Sequence, residues 1–101
     1  MVKLITVQRA KNEVKRLQEY IHLVETYEAD TLEKWIIKEY AYTNSLIKVV
    51  NRASELGYNK NGDSIDRAYV TSVIRGKASD NLHKLIKSGY MKRIRKSKKI
   101  R

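Results

Sequence analysis

A chain of 101 residues is long enough for one domain, and its 22 Lys and Arg against 11 Asp and Glu give a formal net charge of +11. Such an excess of positive charge favours binding to polyanions, nucleic acids among them. Cysteine is absent, which excludes disulfides, thiolate chemistry and Cys-based zinc sites. No apolar run approaches the roughly 20 residues that span a bilayer, and the first residues are too soon interrupted by charge for a signal peptide. We therefore expect a cytoplasmic protein, associated with the nucleoid and not with a membrane.

The first predicted element is an amphipathic helix within residues 1–29. Its apolar residues recur at alternating spacings of three and four, which places them on one stripe of a helix. They are Val7, Ala10, Val14, Leu17, Ile21 and Val24. The stripe spans fewer than three heptads, so it fits a helix packed on its own domain as well as the seam of a dimer.

Residues 30–91 are predicted to form a helical domain. Asp30 and Glu33 have the spacing of a capping pair at its first helix, with Thr31 as the competing cap. An apolar face follows this start at helical spacing. The sequence therefore predicts a helix that begins near residue 31.

The next signals leave the number of helices open. Asn44 or Ser45 is suited to cap a further segment, and Gly57 is a natural helix end. Residues 31–56 therefore form either one helix or two. The polar, glycine-containing stretch at residues 59–64 is predicted to be a loop.

A short helix is predicted from Asp66, as its N-cap, to Arg75, with Gly76 as its stop. Valine and isoleucine side chains fall on one face, which we assign to the core, and small or basic side chains fall on the opposite face. Small residues permit close approach to a groove, and arginine can donate two hydrogen bonds to guanine or grip phosphate. The predicted nucleic-acid contacts here are Arg67, Ala68, Thr71, Ser72, Arg75 and Lys77.

This segment resembles the third helix of the lambda-repressor-like helix-turn-helix proteins. The likeness is carried by Ile65, Asp66, Val70, Thr71, Val73, Gly76 and Lys77. The stretch from Ala53 to Gly57 is similar to the end of the family's second helix, so the resemblance covers residues 45–77. It implies a helix that docks in the major groove of duplex DNA. The chain departs from the family at residues 58–64, which are longer than the family's tight turn.

A second placement puts the reading helix at residues 80–88, after a cap at Ser79 or Asp80. Residues 90–101 would then form a basic strand or wing, as in winged-helix proteins. The outward residues would be Asn81, Lys84 and Lys87. Gly89 is predicted to end this helix, and no Asn-Gly hairpin signal follows it. We therefore rank this placement second.

Residues 92–101 are predicted to be a flexible basic arm. Seven of these ten residues are cationic, namely Lys92, Arg93, Arg95, Lys96, Lys98, Lys99 and Arg101. Such an arm gains affinity by releasing counterions from phosphate, without reading base sequence. The competing interpretation is a disordered, solubilising tail.

The residue types that catalysis needs are not grouped in this sequence. His22 and His83 lie far apart, and neither has a carboxylate or second histidine at metal-ligand spacing. We expect His83 to face solvent on a helix. Four tyrosines are expected in or beside the core and not stacked on bases, namely Tyr20, Tyr27, Tyr40 and Tyr42. The prediction is a protein without catalytic residues, cofactor, metal or small-molecule ligand.

The sequence thus predicts an all-α fold, in which a helix-turn-helix-containing domain carries an N-terminal amphipathic helix and a basic C-terminal arm. The favoured function is a small regulator from a prokaryote or phage that binds double-stranded DNA. We expect a homodimer, because twofold pairing commonly supplies a second half-site. The alternative is a non-catalytic helical interaction protein that binds a protein or RNA partner through its charge.

Overall fold

The computed structural model describes residues 4–99, and the side chains of residues 4–96. Helices make up most of this part of the chain, and a short hairpin interrupts them. In chain order the elements are α1 (Val7–Thr26), α2 (Leu32–Thr43), α3 (Leu46–Leu56), β1 (Asn59–Lys60), β2 (Asp63–Ser64), α4 (Arg67–Arg75) and α5 (Asn81–Lys99). The predicted helical fold is confirmed, with the hairpin as an addition.

Side-chain caps begin the helices. Each capping side chain accepts a hydrogen bond from the backbone N–H three residues further on; the caps are Thr6, Thr31, Ser45, Asp66 and Asp80. Such caps satisfy backbone donors that a helix start leaves without partners. Thr31, and not Asp30, therefore caps α2, and Asp30 forms an ion pair with Lys34 instead. Asp80, and not Ser79, caps α5.

Residues 31–56 form two helices. Asn44 takes a left-handed φ of 53°, and its N–H donates to the carbonyl of Tyr40. Asparagine tolerates this conformation better than most residues. Ser45 then starts α3, which Gly57 ends with a left-handed φ of 76°, as predicted.

Residues 59–64, predicted to be a loop, form a hairpin. Asn59 pairs with Ser64 and Lys60 with Asp63 in antiparallel register. The two turn residues both have positive φ, 54° at Asn61 and 86° at Gly62, as two-residue Asn-Gly turns require. The hairpin separates α3 from α4, where the helix-turn-helix family has a tight turn.

The core lies among α2, α3, α4 and α5. Its fully buried side chains include Ile36 and Ile37 from α2, Val49 from α3, Ile74 from α4 and Leu82 from α5. Burial of each such side chain contributes about 1.5–3 kcal/mol to stability. The packing of Ile74 and Leu82 into one core holds α4 and α5 side by side.

The prediction that Gly89 ends the last helix is wrong, because α5 continues to Lys99. Gly89 does not adopt a left-handed φ. The residues beyond it make tertiary contacts: Tyr90 packs edge-on against Tyr40, with ring centroids 6.1 Å apart, and Arg93 donates to the Tyr40 hydroxyl at 3.1 Å. Residues 92–99 are therefore part of a helix, neither a flexible arm nor a wing strand. Residues 100–101 lie outside the described residues.

Helix α1 joins this body through its C-terminal turns. Val24 is buried, and Tyr20 and Leu23 pack against the core. The rest of the predicted stripe is left largely open, with exposed fractions between 44% and 71% at Val7, Val14, Leu17 and Ile21. The radius of gyration is 15.9 Å, above the ~13 Å of a compact chain of this length. The N-terminal part of α1 accordingly projects from the body.

Candidate nucleic-acid interface

The net positive charge of the chain comes entirely from its second part. From Arg67 to the end the sequence holds twelve Lys or Arg and one acid, Asp80, whereas residues 1–66 hold ten of each. The segment that contains α4 and α5 therefore carries the whole net charge of +11. This division is visible in the sequence, and it marks a larger basic region than residues 92–101.

Helices α4 and α5 lie antiparallel, and side chains of α5 bind the end of α4. Nε2–H of His83 donates to the Ile74 carbonyl at 3.0 Å, and Nζ of Lys87 donates to the Gly76 carbonyl at 3.0 Å. These bonds satisfy carbonyls that the end of α4 leaves without helical partners. The expectations that His83 faces solvent and that Lys87 points outward are therefore wrong; both are half-buried.

The free sides of the two helices form one surface. Arg67 at the start of α4 and Arg93 late in α5 line a common cleft, so the antiparallel arrangement holds along the length of α4. Side-chain direction turns by about 100° per residue of a helix. Given the contacts between the two helices and this rotation per residue, five exposed side chains of α4 and α5 point to one common side. They are Ala68, Ser72, Arg75, Lys84 and Arg95. We call these five residues the basic face.

No carboxylate neutralises the basic face among the described side chains. The ion pairs among the described side chains all lie before residue 67, namely Glu13–Arg16, Asp30–Lys34, Arg52–Glu55 and Glu33–Lys60. The single acid after that position, Asp80, accepts hydrogen bonds from the Tyr27 hydroxyl and the His83 backbone. The cations of the basic face are thus available to an anionic partner.

The residues of and beside α4 that were predicted to contact nucleic acid lie in different places in the structure. Ala68, Ser72 and Arg75 are exposed on the basic face, whereas Thr71 is half-buried. Arg67 is exposed at the cleft beside Arg93. Lys77 lies beyond the helix and lines a different cleft, next to α2.

The cations of the predicted arm also separate into different roles. Arg93 donates to the Tyr40 hydroxyl at 3.1 Å and to the Asn44 carbonyl at 3.0 Å, so it ties α5 to the end of α2. Lys92, Arg95 and Lys96 are exposed like Arg93, but they make no hydrogen bonds among the described side chains. Lys98 and Lys99 continue the α5 backbone, but their side chains are outside the described set, as is the whole of Arg101. Arg93 is thus a structural residue that the sequence pattern could not distinguish from its neighbours.

Aromatic side chains lie mainly in the body. Tyr20, Tyr27 and Tyr40 pack in or against the core, as predicted. Tyr42 is 57% exposed, so the prediction for it is wrong. The exposed aromatic residues, Tyr42 and Tyr58, lie outside α4 and α5. The basic face consequently has no platform on which unpaired bases would stack.

A second cleft, of about 450 Å³, lies where α4 ends near the starts of α2 and α5. The Tyr69 hydroxyl donates to Glu33 at 3.0 Å, and Lys60 Nζ donates to the same carboxylate at 3.4 Å. The backbone N–H of Glu33 and the Tyr69 hydroxyl lower the pKa of Glu33. Burial, followed by the bond to Asp80, raises the pKa of Tyr27. The hydrogen bonds to Glu33 join α2 to the hairpin and α4, and the bond from Tyr27 to Asp80 joins the end of α1 to the start of α5.

Within residues 4–99, His, Asp and Glu side chains do not gather in threes as metal ligands would. None of the helices described is both long and apolar enough to cross a membrane.

Comparison of the chain with protein-family models, with curated proteins and with solved structures finds no match. The resemblance of residues 45–77 to lambda-repressor-like proteins therefore stays a prediction based on those residues.

Proposed function

We propose that this chain binds duplex DNA through the basic face, as a small regulator and without catalysis. The observation that carries the proposal is that the segment of α4 and α5, residues 67–101, holds the entire +11 net charge. Its exposed cations Arg75, Lys84 and Arg95 share the basic face, and none of them has a carboxylate partner among the described side chains. Contacts between cations and phosphates release condensed counterions, which favours binding to DNA.

The shape of the basic face favours a duplex. Ala68 and Ser72 have small side chains, so the backbone of α4 would approach the floor of the major groove, which is about 12 Å wide. Arg75 stands on the same side and would reach base edges. Lys84 and Arg95 on α5 would meet phosphates beside the groove and set the orientation of α4. Lys84 and Arg95 would thus contact phosphates from a helix and not from a flexible arm.

The proposal is tested by fluorescence anisotropy with a labelled duplex of about 20 base pairs, roughly two helical turns, across a range of NaCl concentrations. The unmodified chain is expected to bind, with log Kd changing linearly with log salt. Replacing Lys84 and Arg95 together by Gln should weaken binding and reduce the salt slope by roughly 1.8, since each lost phosphate contact removes about 0.9.

The matched control replaces Lys48 and Arg52 by Gln. Both are exposed on α3, in the part of the chain whose charges balance. The control removes the same charge, so a general loss of net charge would affect both variants equally. Equal effects, or no binding to duplex at low salt, would contradict the proposal and favour a protein or RNA partner.

A further inference from the structure

The stripe on α1 is an apolar surface that the chain does not cover. Val7, Val14, Leu17 and Ile21 are between 44% and 71% exposed on a helix that projects from the body. Beside the C-terminal end of α1, Leu85 of α5 is 52% exposed and adds to this surface. Contiguous apolar surface of this kind marks an interaction site.

The charges along α1 indicate what covers the stripe. Its first half, residues 7–16, has four cations and one acid: Arg9, Lys11, Lys15, Arg16 and Glu13. Its second half, residues 17–26, has two acids and no Lys or Arg: Glu19 and Glu25. A second copy that lies antiparallel brings each basic half against an acidic half. A parallel copy would bring like charges together.

The helix dipole favours the same arrangement. The first turn of α1 has no acidic residue and its last turn has no basic residue. The half charges of the dipole, positive at the N-terminus and negative at the C-terminus, therefore meet side chains of the same sign in an isolated helix. An antiparallel neighbour places acids beside the N-terminal half and cations beside the C-terminal half, which relieves this repulsion.

We infer that α1 is the interface of an antiparallel homodimer. The stripe is self-complementary in this direction: Val14 of one copy meets Leu17 of the other, and Ala10 meets Ile21, twice each about the twofold axis. Twofold interfaces use the same patch on both subunits in this way. The helix is about 30 Å long, so the Val14–Leu17 layers lie near its middle and the Ala10–Ile21 layers lie about 8 Å from the middle on either side. The two bodies lie at opposite ends of the pair.

The first test measures the mass of the full chain in solution by sedimentation equilibrium, over a range of concentrations and without DNA. We expect a dimer, with twice the 11.8 kDa mass of one chain. Leu17→Asp should raise the dimer Kd by about tenfold or more, because it places a charge in the apolar seam. Ile47→Asp is the control, since Ile47 on α3 is similarly exposed, at 54%. A monomer at every concentration, or equal weakening by both changes, would overturn the inference.

The second test reports the direction of the pair and does not place a charge in the seam. The chain has no cysteine, so Ala10→Cys and Ile21→Cys each introduce a single thiol. The two variants are mixed in equal amounts, oxidised mildly and examined by intact mass spectrometry. An antiparallel pair yields mainly the mixed disulfide. Mainly same-variant disulfides would show a parallel pair, a statistical mixture would show random collision, and no disulfide would show that the two positions do not meet; each of these outcomes overturns the inference.

This inference is independent of the proposed function. Neither measurement includes DNA, and the substituted residues lie on α1, outside the basic face. Loss of duplex binding with an intact dimer, or the reverse, would therefore separate the two proposals.

Discussion

The hydroxyl of Tyr27 donates a 2.8 Å hydrogen bond to the carboxylate of Asp80 and so joins the end of α1 to the start of α5. The other Asp80 oxygen accepts from the His83 N–H at 2.8 Å. Nζ of Lys38 donates to the Tyr27 carbonyl, also at 2.8 Å. The junction after α1 is thus bound to both α2 and α5, and these contacts help to set the direction in which α1 projects.

Removal of the Tyr27 hydroxyl should destabilise the protein. For Tyr27→Phe we expect the free energy of unfolding to fall by about 1 kcal/mol, because the lost bond goes to a charged acceptor that is only partly screened by solvent. Urea denaturation followed by circular dichroism measures the change. Tyr42→Phe is the control, since Tyr42 is exposed; a similar loss there would contradict a specific role for Tyr27.

The contribution of Asp80 should depend on pH. Burial alone would raise the pKa of Asp80, but hydrogen bonds from the His83 backbone and the Tyr27 hydroxyl outweigh it and lower the pKa. A lowered pKa in the folded state means that the ionised carboxylate stabilises the fold above its unfolded pKa of about 3.9, and that this stability is lost as pH falls through the folded value. The stability difference between the unmodified chain and Asp80→Asn should therefore be constant near neutral pH and shrink below about pH 4. Urea titrations at several pH values measure it, and a difference that grows in acid would disagree with this sign.

Gly89→Ala should stabilise the protein by about 0.5–1 kcal/mol. Gly89 is inside α5, and apart from the neighbouring backbone of its own helix no atom lies within 4 Å of the position that a Cβ would take, so alanine removes backbone freedom from the unfolded chain without a clash. The contrasting variant is Gly57→Ala, which should cost about 1 kcal/mol because its φ of 76° is strained for alanine. Thermal or urea unfolding of both variants checks this prediction. Destabilisation by Gly89→Ala would indicate that the helix ends there.

Two arginines two residues apart on α5 should have opposite roles. Arg93→Gln should lower the free energy of unfolding by about 1–2 kcal/mol, because Arg93 donates to both Tyr40 and Asn44. Arg95→Gln should leave stability within about 0.5 kcal/mol and weaken duplex binding. Unfolding and anisotropy measurements on both variants test this division, and equal stability losses would argue against it.

If α4 reads the groove, Arg75 should set base preference. At a duplex selected from random sequence, Arg75→Ala should cost about 1–3 kcal/mol and relax preference at particular base pairs. Lys84→Ala should weaken binding evenly across sequences, as loss of a phosphate contact does. Arg67→Ala should resemble Lys84→Ala, because Arg67 lies beside Arg93 at the cleft. Repeated selection with each variant measures preference; the reverse pattern would assign the reading role to α5.

The helix starts and most helix ends could be predicted from the sequence because the signals are local. The Asp66 cap and the Gly57 stop depend on hydrogen bonds and φ values within a few residues, and both lie where the pattern places them. The Asn61-Gly62 pair is an equally local signal for the hairpin. The charge division at residue 67 is likewise a property of the sequence alone.

Contacts between distant residues decided the rest. Glycine is a residue that commonly ends helices, but the contacts of Tyr90 and Arg93 with Tyr40 extend α5 beyond Gly89. Lys87 is a cation like Lys84, yet it binds the end of α4 while Lys84 stays exposed. The apolar spacing of α1 determined that one face avoids water, but only the packed structure shows that the body covers Val24 and leaves Leu17 open. Helical periodicity sets the direction of a side chain, whereas its neighbour is set by which elements pack together.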